Sequence, residues 1–392
     1  MNMLERCWGL DSRVAFLNHG SFGACPLAVL AVQTELRRRM EAEPVRFLDR
    51  ELEGLLDEAR AALARFVGAD PDDLAFVPNA TAGVNTVLRS LRFESSDEIL
   101  ATDMEYNACR NAADFVVGPA RMVVARIPFP ASSPEAIAGA VMDCVTDKTR
   151  LALLSHITSP TGIILPVESL VKELQGKGID VLVDGAHAPG QVSLDIAGLG
   201  AAYYTGNCHK WLCAPKGAAF LHVRRDRQQR IRPLIISHGA NSRRIDRFRF
   251  RLEFDWTGTA DPTPYLCVPA AIRFMEGVVP GGWPDVMRRN HALVVEARGI
   301  LADGLGVPEP CPEDMLGSMA ALPLPQALAG PPAPVSGRDP LQERLFLEYG
   351  IEVPVFALPG SGPKLLRISA QLYNSCAQYQ NLAATLKQLA AA

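Results

Sequence analysis

Short apolar segments alternate with amphipathic stretches through the middle of the chain. Apolar residues recur three and four positions apart over 52–67, 81–91 and 167–175, which predicts helices. Other segments are apolar with little alternation, as expected for strands covered on both faces of a parallel sheet. These predicted strands are 74–77, 98–101, 122–127, 150–155, 180–183, 201–204 and 217–223. The alternation predicts an α/β domain.

A Pro- and Gly-rich change at 279–284 predicts the end of that domain. Helical patterns over 285–301 and 376–391, together with short strands, then indicate a smaller α+β domain. Within it, 322–337 is rich in Pro, Ala and Gly and predicts a loop. Packing of the N-terminal segment against the small domain is left open. We divide the chain into that N-terminal segment (1–25), a large ligand-binding domain (26–275) and a small C-terminal domain (276–392).

The composition narrows the class of protein. Of the 392 residues 48% are hydrophobic, which argues against disorder. The chain has 39 Lys and Arg against 43 Asp and Glu, so it lacks the net positive charge that is typical of nucleic-acid-binding proteins. No apolar run is as long as a membrane span, and the first residues do not resemble a secretory signal. The nine cysteines form no Cys-x-x-Cys pair and indicate reduced thiols. We therefore expect a cytoplasmic enzyme for a small molecule, with no nucleic-acid or membrane partner.

Familiar ligand motifs are absent from the sequence. No Gly-x-Gly-x-x-Gly follows a predicted strand, no P-loop lysine is present, and no Gly-x-Ser-x-Gly elbow occurs. The histidines and cysteines lack the spacing of zinc ligands, so we expect no metal site.

Three polar features do suggest chemistry. Asp184 ends an apolar strand at the sheet edge where α/β proteins bind ligands, although it could simply cap a turn. Lys210 follows the next predicted strand in a Gly/Asn turn with apolar neighbours, where a lowered pKa would favour Schiff-base formation, although most lysines reach solvent. The predicted helix start at 79–83, with its small residues and hydroxyl, could bind an anion. Alternatively, Asn79 or Thr81 only caps the N-terminus of the helix. Together the three fit pyridoxal 5′-phosphate, whose phosphate, aldehyde and ring nitrogen need these groups.

At this point the chain resembles the class V aminotransferase family of pyridoxal-phosphate enzymes, of fold type I, and within it the isopenicillin N epimerase-like subgroup. The resemblance implies a large domain with a mainly parallel seven-stranded sheet, a smaller α+β C-terminal domain, and a homodimer with shared active sites. It runs over about residues 14–375, and its motifs are LNHGSFG at 17–23, NATAG at 79–83, DGAH at 184–187, HK at 209–210 and TGT at 257–259.

The resemblance also implies roles for single residues. Lys210 would be the Schiff-base lysine and the proton shuttle at Cα, and Asp184 would hold the pyridine nitrogen. His187 would lie near the ring 3-hydroxyl, and Tyr106 would cover the ring face. The further implied cofactor contacts are Ala80, Thr81, Thr158, Thr205 or Asn207, His209 and, for the phosphate of the other subunit, Thr259.

The implied substrate contacts are less uniform. Arg367 sits where relatives bind the substrate α-carboxylate, with a structural ion pair as the alternative. His19 and Ser21 approach the substrate or form a structural turn. Arg46 either points into the site or lies outside it.

For the reaction, we expect chemistry at Cα of an amino acid through a quinonoid intermediate. Our first choice is β-elimination, as in a C–S lyase, on an S-substituted cysteine-type substrate of specialised metabolism. The alternatives are epimerisation, transamination and decarboxylation-linked deamination, with a non-enzymatic pyridoxal-phosphate protein the least supported. Family desulfurases carry a nucleophilic cysteine shortly before the carboxylate-binding arginine. No cysteine lies between Cys311 and Cys376, which disfavours a persulfide mechanism.

Overall fold

The computed structural model describes residues 3–118, 121–330, 338–358 and 362–391. We number its strands in chain order. They are β1 (Ala15–Phe16), β2 (Leu74–Val77), β3 (Glu98–Thr102), β4 (Arg121–Ala125), β5 (Thr149–Ser155), β6 (Asp180–Asp184), β7 (Tyr203–Asn207), β8 (Ala219–Val223), β9 (Met319–Pro323), β10 (Ile351–Glu352), β11 (Val355–Ala357) and β12 (Lys364–Ser369).

The helices are numbered in the same way. They are α1 (His19–Phe22), α2 (Leu27–Ala42), α3 (Leu52–Val67), α4 (Ala80–Ser90), α5 (Asn107–Val117), α6 (Pro134–Met142), α7 (Val167–Gly176), α8 (Ile196–Leu199), α9 (Arg249–Phe254), α10 (Thr263–Leu266), α11 (Val268–Gly277), α12 (Gly282–Leu305), α13 (Gln326–Ala329), α14 (Pro340–Tyr349) and α15 (Cys376–Ala391). A π-helical turn, Arg46–Glu51, leads directly into α3. None of the described helices combines the length and the apolar character needed to cross a membrane.

The seven-stranded sheet has the order β2-β8-β7-β6-β5-β3-β4. Neighbours from β7 through β6, β5 and β3 to β4 are parallel, and β8 is antiparallel to both β7 and β2. Only β8 therefore runs against the others. This confirms the predicted α/β class with a mainly parallel sheet.

Strand β6 shows why these segments are apolar without alternation. Val181 and Val183 pack into the core on one face of the sheet, while Leu182 belongs to a second core on the other face. All three side chains are fully buried. Because helices cover both faces, every position along the strand is selected for burial, as in other parallel sheets.

Helix α3 illustrates how the three-and-four spacing becomes packing. Its residues Leu56, Ala59, Leu63 and Val67 are buried on one stripe. The helix ends at Gly68, which has φ +65° and whose amide donates to the carbonyl of Ala64. A left-handed residue at this position is favoured by glycine, so the sequence marks both the stripe and its end.

The register of the central strands aligns three polar residues at one edge of the sheet. Ser155 of β5 is paired with Asp184 of β6, and Asp184 is paired with Thr205 of β7. These strands are parallel, so their carboxyl ends meet at the same edge. The sheet therefore brings residues far apart in the sequence into one row.

Strand β7 differs from the prediction for this part of the chain. The segment that we predicted as a turn after 201–204 continues as strand through Gly206 and Asn207, which pair with Phe220 and Ala219 of β8. A Cβ on Gly206 would lie 2.8 Å from the ring of Phe220, so close packing requires glycine at this position of the strand. Pairing with β8 therefore decides the structure against the local turn propensity.

A three-stranded antiparallel sheet, in the order β11-β12-β9, lies in the C-terminal part. The start of the chain joins this part, since β1 pairs in parallel with β10 and the amide of Ser369 donates to the carbonyl of Leu17. Helices α12 and α15 flank it and match the predicted helical segments. The domain boundaries that we drew after residues 25 and 275 stay predictions.

The loop predicted over 322–337 is wrong in its first part. Leu322 and Pro323 belong to β9, where they pair with Leu366 and Leu365, and α13 follows closely. Pairing with β12 supplies the hydrogen bonds that the local Pro-rich composition argues against. Residues 331–337 lie outside the described part of the chain.

We expect Gly23→Ala to destabilise the protein. Gly23 has φ +69°, and a Cβ there would lie 2.4 Å from the carbonyl oxygen of His209 and 2.9 Å from Cα of Lys210. Backbone strain and overpacking should lower the free energy of unfolding by at least about 2 kcal/mol, measured by denaturant titration. Gly139→Ala is the matched control, because it lies in α6 with nothing within 4 Å of a new Cβ. Equal stabilities of the two variants would contradict this packing.

Candidate active site

A cavity of about 490 Å³ lies at the carboxyl edge of the large sheet, where the polar row of β5, β6 and β7 ends. It is bounded by the start of α4, by the turn after β6 and by the segment after β7. Many of the residues predicted to act in catalysis or binding line it. These are Ser21, Ala80, Thr81, Tyr106, Asp184, His187, His209 and Lys210, joined by Asn79, Ser155, Ser159 and Asn207.

The amine of Lys210 lies inside this cavity, with Nζ 3.1 Å from Nε2 of His187. Burial lowers the pKa of Lys210 to about 7, and the positive charge of Arg367 acts in the same direction. The carboxylate of Asp184 opposes this shift. Burial also keeps the pKa of His187 well below its usual value, so the imidazole is neutral. A substantial fraction of the amine is therefore unprotonated near neutral pH, as a nucleophile or base requires.

Asp184 ends β6 and is nearly inaccessible, with 3% of its surface exposed. Its Oδ1 accepts a hydrogen bond from the amide of Ala186 at 3.0 Å, and its Oδ2 accepts one from the thiol of Cys109 at 3.1 Å. Burial raises the pKa of Asp184, while Cys109, Ala186 and Lys210 oppose that rise. These neighbours favour the ionised carboxylate in a place where a bare charge would be costly.

The start of α4 forms another wall of the cavity. Oδ1 of Asn79 accepts from the amide of Ala82 at 2.8 Å, which is a helix cap. Oδ1 of Asn207 accepts from the amide of Ala80 at 2.8 Å. The amide of Ala80, predicted to bind a phosphate, is thus engaged by Asn207, and Thr81 is the next residue of the helix start that lines the cavity.

Tyr106 precedes α5 and is 48% exposed at the cavity. The residue before it, Glu105, is buried and accepts hydrogen bonds from the hydroxyl of Thr102, the hydroxyl of Ser155 and the amide of Ser155. Burial raises the pKa of Glu105 to about 7. This carboxyl ties the ends of β3 and β5 together beneath Tyr106, a role that our reading of the sequence missed.

Arg367 of β12 is 1% exposed and reaches the N-terminal segment. Its guanidinium donates to the carbonyl of Ser159, to the hydroxyl of Ser21 at 3.0 Å and to Oδ1 of Asn18 at 3.3 Å. Nε has no partner, and no carboxylate pairs with Arg367 among the described residues. Burial lowers its pKa to about 10. A buried cation without an anion fits binding of an anionic ligand better than the ion pair that was the alternative.

Residues 23–274 match the sequence model of the family described as Aminotransferase class-V. The chain is 36% identical over 397 residues to isopenicillin N epimerase of Streptomyces clavuligerus, with 97% of this chain and 96% of that protein covered. This protein belongs to the class V aminotransferase family.

A second relative carries the name of a different activity, a desulfhydrase. The chain is 31% identical over 401 residues to the Arabidopsis thaliana protein named "Probable L-cysteine desulfhydrase, chloroplastic", with 95% of this chain and 82% of that protein covered. Among solved structures, the cystine C–S lyase C-DES with its reaction product cysteine persulfide gives a TM-score of 0.77 at 21% identity, covering 96% and 98% of the two chains. That likeness shows the fold, and it confirms fold type I.

The protein is thus a class V enzyme that uses pyridoxal 5′-phosphate. The cavity fits this cofactor on independent grounds. The buried Nδ1 of His187 has no hydrogen-bond partner among the described residues, so this nitrogen is available to a polar group of the cofactor. Lys210 supplies an amine of lowered pKa, and Asp184 supplies a carboxylate that can face a ring nitrogen. The described residues contain no cluster of His, Cys, Asp and Glu placed to hold a metal ion.

Two predicted cofactor contacts of this class V enzyme lie outside the cavity. Thr205 is fully buried under α4, donates to the carbonyl of Phe220 at 2.8 Å and fills the space beside Gly83. Thr158 is also fully buried, and its hydroxyl bonds that of Thr161. Both hydroxyls are engaged in local hydrogen bonds, which argues against direct contact of either side chain with the cofactor. Asn207, the alternative to Thr205, does line the cavity.

His19, for which the sequence allows a substrate contact or a structural role, is not among the residues that line the cavity. Its imidazole is fully buried, with Nδ1 2.7 Å from the hydroxyl of Tyr373 and Nε2 3.1 Å from the carbonyl oxygen of Lys210. A carbonyl only accepts, so Nε2 carries the proton and Nδ1 accepts from Tyr373. Both nitrogens are engaged, and the side chain supports the backbone of Lys210, which favours the structural alternative. Ser21, its partner in the prediction, does reach the cavity and binds Arg367.

Arg46 and Thr259 lie away from the cavity of this chain. Arg46 is exposed and its Nε is 2.6 Å from a carboxylate oxygen of Glu51 in the π-helical turn. Thr259 is exposed in the segment between α9 and α10. Within this chain the pairing of Arg46 with Glu51 favours the alternative in which Arg46 lies outside the site. The prediction for Thr259 concerns a neighbouring subunit and stays a prediction.

We expect His19→Ala to act on stability. Loss of the imidazole leaves the hydroxyl of Tyr373 and the carbonyl of Lys210 unpaired and opens a cavity, at a cost of about 2–4 kcal/mol in the free energy of unfolding. A double-mutant cycle with Tyr373→Phe should show a coupling of at least about 0.5 kcal/mol. Unchanged stability with a raised KM would instead indicate a substrate contact.

Lys210→Met should remove a pH-dependent cost of the cofactor-free protein. The pKa of Lys210 is lowered in the folded state from 10.5 to about 7, so between these values the unfolded chain binds more protons. The unfolding free energy of the wild type should therefore rise relative to the variant as pH increases through this window. The variant should be the more stable of the two at pH 7, and the gap should close towards pH 10. A gap independent of pH, measured by denaturant titration, would contradict the lowered pKa.

Proposed function

We propose that this enzyme catalyses β-elimination on an S-substituted cysteine-type amino acid, that is, C–S bond cleavage with Lys210 as the base. The supporting observation is the lowered pKa of Lys210 at about 7 and the contact of its amine with His187, which suit it to remove the Cα proton. The imidazoles of His187 and His209, which also line the cavity, have lowered pKa values and are neutral, so Tyr106 is the lining residue considered below as a second acid. Elimination needs one base at Cα, whereas epimerisation also needs an acid on the opposite face.

The residues of the cavity divide the work by position. When bound, pyridoxal phosphate supplies an electron sink for the bond broken at Cα. Asp184 would hold the ring nitrogen, and His187 would lie beside the ring. Lys210 would join the cofactor at rest and, once released, accept the Cα proton on Nζ. The sulfur then leaves Cβ with the electrons of the C–S bond, and addition of water yields thiol, pyruvate and ammonia from a cysteine-type substrate.

Two anionic groups need binding partners, the α-carboxylate of the substrate and the phosphate of the cofactor. Arg367 carries a buried positive charge that no carboxylate of the described residues pairs with, which suits the substrate α-carboxylate. Ser21 and Asn18 hold its guanidinium in place. Thr81 at the start of α4, with His209, would hold the phosphate, and Tyr106 would cover the ring.

We further propose a cytoplasmic homodimer. Large apolar side chains are exposed on one stretch of chain, with Ile235 and Ile236 at 61% and Ile245 at 98% exposure. This stretch and Thr259 are close in sequence, which supports contact of both with a second subunit. The cysteines are free thiols, as suits a reducing compartment.

Epimerisation is the second candidate, favoured by the 36% identity to an isopenicillin N epimerase. In that case Tyr106, which lines the cavity beside the ring site, would be the acid on the face opposite Lys210.

The two reactions separate in deuterated water. We expect the holoenzyme, given S-substituted L-cysteines, to release thiol and pyruvate in equal amounts, followed by NMR, and Lys210→Ala to release neither. Inverted substrate carrying deuterium at Cα, without thiol release, would overturn the lyase and support the epimerase. Pyridoxamine phosphate and a keto acid would instead indicate transamination.

A further inference from the structure

Cys109 lies at the first turn of α5, three residues after Tyr106, and is fully buried. Its Sγ is 3.1 Å from Oδ2 of Asp184. This contact joins two positions 75 residues apart in the chain. It brings the helix that begins beside Tyr106 against the carboxylate proposed to hold the ring nitrogen.

The thiol can only be the donor in this contact. Burial and the nearby carboxylates of Asp184 and Glu105 raise the pKa of Cys109 well above its usual value, so the sulfur keeps its proton. The other oxygen of Asp184 already accepts from the amide of Ala186. The carboxylate is therefore held at both oxygens by a backbone amide and a thiol.

The remaining groups around Asp184 do not replace this donor. Glu105, before α5, is a carboxyl whose charge acts on the same site. Burial, followed by the charge of Asp184, raises the pKa of the Tyr204 phenol in β7, and its hydroxyl lies 2.9 Å from Nδ1 of His156. Lys210 favours the ionised carboxylate from across the cavity. Once the lysine is committed to the cofactor, Cys109 and Ala186 are the donors left on the protein side.

We propose that Cys109 is a positioning residue, whose thiol hydrogen bond keeps Asp184 ionised and oriented and thereby keeps the proton on the ring nitrogen of bound pyridoxal phosphate. A carboxylate and a protonated ring form an ion pair, and their neutral alternative places the proton on Asp184. A hydrogen-bond donor stabilises the charged carboxylate more than the neutral carboxyl and therefore favours the ion pair. The inference depends on the cofactor and not on which reaction at Cα follows.

The test compares three side chains at this position in the reconstituted holoenzyme. Cys109→Val removes the donor and keeps an apolar side chain, whereas Cys109→Ser keeps a donor. The pyridine nitrogen is labelled with ¹⁵N, and its chemical shift in the bound cofactor is measured by solid-state NMR at fixed pH. The affinity of the cofactor-free protein for pyridoxal phosphate is measured by equilibrium dialysis. Cys144→Val, which changes a half-buried cysteine outside the cavity lining, is the matched control.

We expect Cys109→Val to move the nitrogen shift towards the unprotonated value and to weaken cofactor binding about three- to tenfold. Cys109→Ser and Cys144→Val should retain the wild-type shift and affinity. In steady-state kinetics the valine variant should lose kcat with little change in KM, because substrate binding does not involve Asp184.

Two results would overturn the proposal. A wild-type nitrogen shift in Cys109→Val would show that the thiol does not influence the ring. Equal changes in the valine and serine variants would show that the volume of the side chain matters and its donor does not. If the valine variant does not fold, Cys109→Ala serves in its place, with folding checked by thermal denaturation. An enzyme that proved to be an epimerase would leave these expectations unchanged.

Discussion

The active site depends on charges that are buried together without cancelling. Lys210 and Arg367 are both basic groups of lowered pKa, and Asp184 is the carboxylate near Lys210. Burial makes each charge costly, and the positive charge of Arg367 further disfavours protonation of Lys210. The phosphate of the cofactor and the carboxylate of the proposed substrate would supply the missing negative charge. The cavity is therefore suited to its ligands by the electrostatic imbalance that its own residues create.

This imbalance is maintained by structure from both ends of the chain. Arg367 is fixed on β12 and is oriented by Asn18 and Ser21 near the start of the chain. Lys210 is supported from behind by His19, whose other nitrogen bonds Tyr373. The large sheet fixes Asp184 by the register of β5, β6 and β7. Each charged group thus has its own rigid support, which limits relaxation that would weaken the electrostatic effect.

The sequence was sufficient to locate the strands of the large sheet because burial on both faces leaves a strong apolar pattern, as in Val181, Leu182 and Val183 of β6. The motifs were sufficient to place Asp184, His187 and Lys210 around one cavity. Side-chain direction was not predictable, because it depends on packing partners that are distant in the chain. His19, Thr158 and Thr205 therefore turned away from the cavity. Glu105 and Cys109 were missed because their partners lie on other strands, although their positions beside Tyr106 were visible.

The parallel pairing of β1 with β10 has a consequence for the time course of synthesis. Residues 15–16 leave the ribosome early, but their partner strand at 351–352 is made only when most of the chain exists. Asn18 and Ser21 likewise wait for Arg367. The large sheet can assemble first from its own strands. Arg367 and the residues that orient it therefore come together last, so the site proposed for the substrate carboxylate is complete only near the end of translation.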